Sequence, residues 1–243
     1  MPRKKPEVNR DVDESLHHVR LLPRTKVTKK AHKTDDSNHK ITPTVTAVVN
    51  MSGTFTRRAK TVALDCEMVG VGDKKSSALA RCTIVNYNGE VIYNSYIKPN
   101  QCVTDYRTPW SGIRPWHLKT AVPHQVALSD IKKILSSKII VGHDLSNDFN
   151  VLGFSLPSHQ RRDTAKYRNL RRLAGLCCQP SLKVLAHRLL GRRIQKGSHC
   201  SLEDARATLD IYKLMEQEWE SEFQESSLNF FNDSFWPDDI LNT

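Results

Sequence analysis

The chain contains no apolar run approaching the roughly 18 residues that a membrane-spanning helix requires. Its opening, Met-Pro-Arg-Lys-Lys, offers no apolar stretch of the kind a secretory leader carries. The six cysteines (Cys66, Cys82, Cys102, Cys177, Cys178 and Cys200) form no Cys-x-x-Cys pair and no disulfide-framework spacing. A stapled secreted fold is therefore disfavoured, and a zinc site built from Cys177, Cys178, His187 and His199 lacks the usual ligand spacing. No internal repeat is evident. These absences lead us to expect a soluble intracellular protein with reduced thiols. Bases are missing from residues 216–243, which hold eight acids and no Lys or Arg.

Elsewhere bases dominate. The 243 residues carry 37 Lys/Arg against 26 Asp/Glu, a net charge of +11. Residues 1–60 hold 14 bases against 6 acids, and residues 61–215 hold 23 against 12. A folded region this basic, preceded by a basic arm, favours a polyanionic partner, nucleic acid above all. Residues 1–60 are rich in Lys, Arg, His, Thr, Ser and Pro and lack sustained periodicity, so we expect a largely disordered arm. Its clusters Arg3-Lys4-Lys5 and Arg24-Thr25-Lys26-Val27-Thr28-Lys29-Lys30 suit nuclear import or RNA contact, with a merely solvating arm as the alternative. The expected residence is the nucleus and, within it, the nucleolus.

One folded domain is expected over residues 61–223, followed by an acidic tail over residues 224–243. Strands are expected at residues 61–68, 80–87 and 90–97, the last two joined by a type I′ turn at Asn88-Gly89. A helix follows at residues 122–136, with Val126, Ile131, Ile134 and Leu135 on its apolar stripe. A short strand at residues 138–142, reached by that helical crossover, should pair parallel to the first. Further helices are expected at residues 144–154, 181–190 (closed by Gly191) and 201–223. Six bases crowd residues 161–172, with Asp163-Thr164 as a candidate helix cap. The fold class is thus α/β, a mixed sheet with its first three strands antiparallel and later ones parallel, flanked by helices.

Asp65 and Glu67 lie two residues apart in the first strand, so both leave it on one face, about 7 Å apart at Cα. Paired acids beside Val62, Leu64 and Cys66 are costly unless a cation joins them; the plain alternative is a strand with one wet face. Asp148 lies just past the fourth strand, a place where α/β folds build sites, although an acid near a helix N-terminus is also favoured locally. Asp204 opens the last long helix. Ser201-x-x-Asp204 alone reads as a capping box, but capping does not ask for His199, five residues earlier.

Asp-x-Glu on a strand, a later Asp, then His-x-x-x-x-Asp together resemble the DEDDh class of 3′–5′ exonucleases. Ala63-Leu64-Asp65-Cys66-Glu67-Met68-Val69-Gly70, Leu79-Ala80-Arg81-Cys82, Asp105-Tyr106-Arg107-Thr108, Val141-Gly142-His143 and Glu203-Asp204-Ala205-Arg206-Ala207-Thr208 are similar to its interferon-stimulated-gene-20-like branch. The likeness covers about residues 61–220. Asn86-Tyr87-Asn88-Gly89 and Trp110-Ser111-Gly112-Ile113 resemble nucleolar members, and Trp236-Pro237-Asp238-Asp239 the tail of a single member. Residues 168–180 match no pattern of the branch.

The resemblance implies an RNase H-like sheet and a metal-dependent 3′–5′ exonuclease that releases nucleoside monophosphates from RNA, with DNA as a second substrate. It implies two Mg²⁺ or Mn²⁺ ions about 4 Å apart, the spacing that serves phosphodiester hydrolysis. Asp65, Glu67, Asp148 and Asp204 are the implied ligands, with Asp65 bridging; their oxygens suit hard cations. His199 is the implied general base, and Met68 and Arg107 the implied contacts to the terminal nucleotide. The alternatives are a catalytically silent RNA-binding protein of the same fold and an endonuclease. For Met68 and Arg107 taken alone, core packing and a surface ion pair are the alternatives.

Overall fold

The computed structural model describes the backbone of residues 45–73 and 76–234, with side chains within residues 53–225. Helix α1 (Val45–Lys60) runs directly into strand β1 (Thr61–Val71). Strands β2 (Ser76–Asn86) and β3 (Val91–Lys98) follow, then the short β4 (Val103–Asp105) and helix α2 (Thr108–Ser111). Next come β5 (Val122–Pro123), α3 (His124–Leu135), β6 (Ile139–Gly142), α4 (Leu145–Leu152), β7 (Arg161–Asp163) and α5 (Arg168–Leu173). Helices α6 (Leu182–Leu190), α7 (Ser201–Leu214) and α8 (Glu216–Ser234) complete the described chain.

Among the described residues seven strands form one sheet in the order β5-β3-β2-β1-β6-β7, with β4 paired to β1. The β1-β2 and β2-β3 pairs are antiparallel, and β1-β6 and β6-β7 are parallel, as the sequence led us to expect. β1 is therefore central and covered on both faces. Val62, Leu64 and Cys66 pack with Ala127, Ile131 and Leu135 of α3 and with Leu145, Phe149 and Leu152 of α4. Ala63, Val85 and Val141 face Leu185 of α6 and Ala205, Leu209 and Tyr212 of α7. A fully buried Leu or Ile contributes about 1.5–3 kcal/mol, so these two apolar layers hold the sheet.

Four departures concern the expected turn, helix bounds and chain ends. The β2-β3 hairpin forms, but only Gly89 has positive φ (+81°). Asn86 O accepts from Gly89 N, and Asn86 N donates to Glu90 O, which makes a longer turn with Gly89 in the left-handed position instead of type I′. Helix α3 starts two residues late because Val122 and Pro123 pair with Ile97 and Lys98; its buried stripe is Ala127, Ile131 and Leu135, and Val126 is exposed.

The remaining two departures lie at the chain's charged ends. Residues 45–60 of the expected arm are helical, and the arm before them lies outside the described residues. The expected helix over residues 201–223 breaks at Met215, and the acidic stretch continues as α8. The break lets Trp219 turn back to stack on Tyr167 at 3.9 Å and buries two acids against bases. Glu216 accepts from Arg58 (3.0 Å) and Tyr87 (2.7 Å); Glu220 accepts from Arg162 (2.7 Å) and Tyr212 (2.9 Å). The charge asymmetry of the sequence is thus partly consumed within the fold.

Candidate active site

The strand that opens the domain places Asp65 and Glu67 on the face that α7 covers. Across β2 their partners are Thr83 and Arg81. The pairing then shifts, Met68 lying opposite Leu79, so that β2 carries an extra residue and the end of the strand is re-aimed. Helix α7 is fixed on this face by a 2.7 Å hydrogen bond between the hydroxyls of Thr83 and Ser201. That bond replaces the expected capping box: the N-cap is Cys200, without a side-chain cap, and the Ser201 hydroxyl points into the sheet. One turn further on, Asp204 is carried in beside Asp65 and Glu67, only 2% exposed.

Asp148 reaches the same place from the far edge of β1. The parallel β1-β6 pairing spans Thr61–Ala63, after which the chain leaves β6 at Gly142 and turns into α4. A Cβ at Gly142 would overlap the Leu145 side chain, so a larger residue there would displace that buried leucine at the start of α4. Asp144 takes a left-handed φ of 57°, and the Asp163 carboxylate accepts from Asp144 N (2.8 Å) and Leu145 N (3.2 Å). Asp163 thus caps α4 from a neighbouring strand, and its Oδ1 also accepts from Ala165 N (3.1 Å) in the turn that follows it, where the sequence suggested a cap; α5 itself starts later, at Arg168. Asp148, 5% exposed, lies beside Cys66, whose thiol and backbone favour its ionised form. His143 turns aside to Thr164 Oγ1 at 3.0 Å.

The four carboxylates sense one another. Burial, then the charges of Asp148, Asp204 and Glu67, push the Asp65 carboxyl well above its usual range. Burial and Asp204 raise Glu67 to about 8, while Arg81 and the Ser201 backbone N–H pull it partly back. Asp148 is raised to about 7, chiefly by burial, against the stabilising bonds from Cys66. Burial also raises Asp204, opposed by Gln195 and His199. A cluster of buried acids lifted toward neutrality by burial and by one another marks a candidate functional site.

His199 lies 3.7 Å through Nδ1 from Asp204 Oδ2, with its side chain 39% exposed. Its loop is held by its backbone N–H, which donates to Trp110 O at 2.6 Å. Gln195, which sequence reasoning missed, donates from Nε2 to Asp204 Oδ2 at 2.8 Å. It does so from a left-handed backbone (φ 54°), a conformation with no local sequence signal. Met68 is half-buried against the α3/α4 layer. Arg107 donates to Ser77 Oγ at 2.8 Å, opposite the end of β1. The fold therefore gathers Asp65, Glu67, Asp148, His199 and Asp204, with Met68 and Arg107 farther along the same strand end.

Among the described residues no three His, Cys, Asp or Glu side chains stand close enough to define a metal site by geometry alone. The donor chemistry nevertheless fits hard divalent ions. Glu67 Oε1 and Asp204 Oδ1 are buried without any hydrogen-bond partner, a condition that native proteins rarely leave unresolved. Gln195 engages the other oxygen of Asp204, so Oδ1 is the one left for a cation.

A central strand flanked by one antiparallel hairpin and parallel neighbours, with acids converging from three segments, defines an RNase H-like nuclease fold. The chain belongs to the exonuclease family, whose pattern matches residues 62–212. It is 42% identical over 204 residues to human apoptosis-enhancing nuclease (76% of this chain, 63% of that protein). It is 51% identical over 167 residues to human interferon-stimulated 20 kDa exonuclease-like 2 (66% of this chain, 47% of that protein). The chain thus spans about half to two-thirds of these relatives. A solved yeast (Saccharomyces cerevisiae) Pan2 pseudoubiquitin hydrolase-RNA exonuclease module in complex with AAGGA RNA is similar with TM-score 0.58 and 29% identity, covering 73% of this chain and 32% of that one. The first of these relatives is the member whose tail the terminal Trp236-Pro237-Asp238-Asp239 resembles; those residues lie outside the described ones.

Proposed function

We propose that the protein is a DEDDh 3′–5′ exonuclease that hydrolyses RNA, and DNA as a second substrate, to nucleoside monophosphates. The observation that carries this reading is the convergence of Asp65, Glu67, Asp148 and Asp204 from three separate segments onto one pocket beside His199. These four carboxylates would hold two divalent cations, Mg²⁺ or Mn²⁺. Such cations, when bound, supply positive charge to the attacking and leaving oxygens of a phosphodiester. His199 directs Nδ1 toward Asp204 Oδ2, which leaves Nε2 to accept the proton of the attacking water. Its side chain is exposed enough to reach solvent, and the bond to Trp110 O sets where its loop lies. Gln195 orients Asp204, and Cys66 orients Asp148. Met68 would pack on the terminal base, and Arg107 would reach the sugar.

A time course on RNA and DNA labelled at either end, with Mg²⁺ or Mn²⁺, tests the reading. We expect mononucleotide from the 3′ label at once and a shrinking ladder from the 5′ label. Internal cleavage, or retardation of the strand on a gel without any release, would replace it with an endonuclease or a silent binder. The basic clusters of the arm further lead us to propose nuclear and nucleolar residence, which imaging of a fluorescent fusion with and without those clusters would test.

A further inference from the structure

Beyond the carboxylate pocket runs a row of contacts that the chemistry above does not use. Arg81, the cross-strand partner of Glu67, lies over the Tyr96 ring at 5.3 Å. Tyr96 stacks on His117 (4.4 Å, 16°), His117 meets the edge of Trp116 (5.8 Å), and Arg114 lies over the Trp116 ring at 5.3 Å. Three rings in series thus lie between two arginines, the first of them opposite Glu67. Trp110 lies outside this row, in α2 on the same segment, and its carbonyl holds the His199 backbone N–H.

The segment bearing these rings is firmly anchored. Ile113 and Leu118 are buried, Thr108 Oγ1 donates to Ile113 O at 2.6 Å, and Ser111 Oγ donates to Tyr106 O at 2.8 Å. Gly112 (φ +65°) lies so near Ser198 and His199 that an added Cβ would approach the His199 carbonyl to 3.3 Å. Yet Trp110 is 66% and Trp116 57% exposed. Large rings held at the surface of a rigid turn, interleaved with arginines, form a surface on which unpaired bases stack while the backbone finds positive charge. A duplex hides its base faces and could not use it.

We propose that this row, together with the exposed Trp110 ring next to the His199 loop, is the path of single-stranded nucleotides lying 5′ to the scissile bond, with bases stacked on Trp116 and Trp110. The proposal rests on the exonuclease reading and adds to it a demand for several unpaired nucleotides upstream of the terminal one. The test is tryptophan fluorescence of the full chain titrated with single-stranded oligouridylate in Ca²⁺, comparing wild type, Trp110→Ala, Trp116→Ala and the two Trp→Phe variants. Loss of one stacked base at about 1–3 kcal/mol corresponds to a Kd raised roughly 5- to 150-fold.

We expect quenching in wild type, a reduced quench and a weakened Kd in each Ala variant, near-wild-type Kd with Phe, and little quenching by blunt duplex. Unchanged Kd in both Ala variants, or equal quenching by duplex, would overturn the proposal and assign the rings to a protein contact. Mononucleotide release by wild type from the same oligomer in Mn²⁺ is scored separately. Its absence would remove the exonuclease reading without altering the binding result.

Discussion

The pocket carboxylates make stability depend on pH in an unusual direction. In the folded chain Glu67 titrates at about 8 and Asp148 at about 7, against model-peptide values near 4.3 and 3.9. Above pH ~6.5 the unfolded chain has released both protons while the folded chain still holds part of them, so raising the pH favours unfolding. Integrating both groups from pH ~6.5 to ~8 gives a loss of about 2 kcal/mol, or a fall of about 4–8 °C in Tm for a domain of this size. Asp65, raised for the same reasons, adds to it. Below pH ~6.5 the buried His143, whose pKa is lowered by desolvation, works oppositely, because the unfolded chain takes up its proton first. The upper window is therefore the informative one.

A divalent ion binding only the folded carboxylates reverses the trend, adding about 2.7 kcal/mol at a hundredfold excess over Kd. The assay is thermal melting in chelator and in Mg²⁺ across that window, with Glu67→Gln as the variant that flattens the slope. A Tm in chelator that climbs from pH ~6.5 to ~8, or one indifferent to Mg²⁺ at the upper end, would refute the reasoning.

His199→Ala should lower kcat by about 10²- to 10⁴-fold while the Mg²⁺-induced rise in Tm persists; loss of that rise would make His199 a ligand instead of a base. Gln195→Ala frees Asp204 Oδ2, and we expect about 10- to 100-fold weaker Mn²⁺ binding by calorimetry; wild-type affinity would deny it a positioning role. Glu220→Ala strands the buried Arg162 guanidinium, at a cost of about 3–5 kcal/mol in urea unfolding; a change below ~1 kcal/mol would show that the pair is solvated.

The acids were legible because strand periodicity fixes Asp65 and Glu67 on one face, because Asp148 follows a recognisable strand-to-helix change, and because Asp204 opens a long amphipathic helix five residues after His199. Local spacing misled where a distant segment took over a side chain. Ser201 reads as half of a capping box but is claimed by Thr83, and Asp163 reads as a cap for the segment after it but serves α4 as well as that segment's first turn. Val126 fits the apolar stripe of α3, yet pairing of Val122 and Pro123 with β3 starts the helix two residues late, and Ala127 instead of Val126 joins Ile131 and Leu135 on its buried face. Gln195 was invisible because its role depends on a left-handed backbone meeting a residue on another element. Glu216 and Glu220 fall within the expected last helix, but nothing in their own sequence names Arg58 and Arg162 as partners.

The central claim is that carboxylates from three segments jointly hold a pair of divalent ions. Mn²⁺ binding followed by electron paramagnetic resonance addresses it most directly. The account requires two spin-coupled ions per chain in wild type, with the coupling lost in Asp65→Asn. A single isolated ion in wild type, or a coupled pair that survives Asp65→Asn, would contradict it.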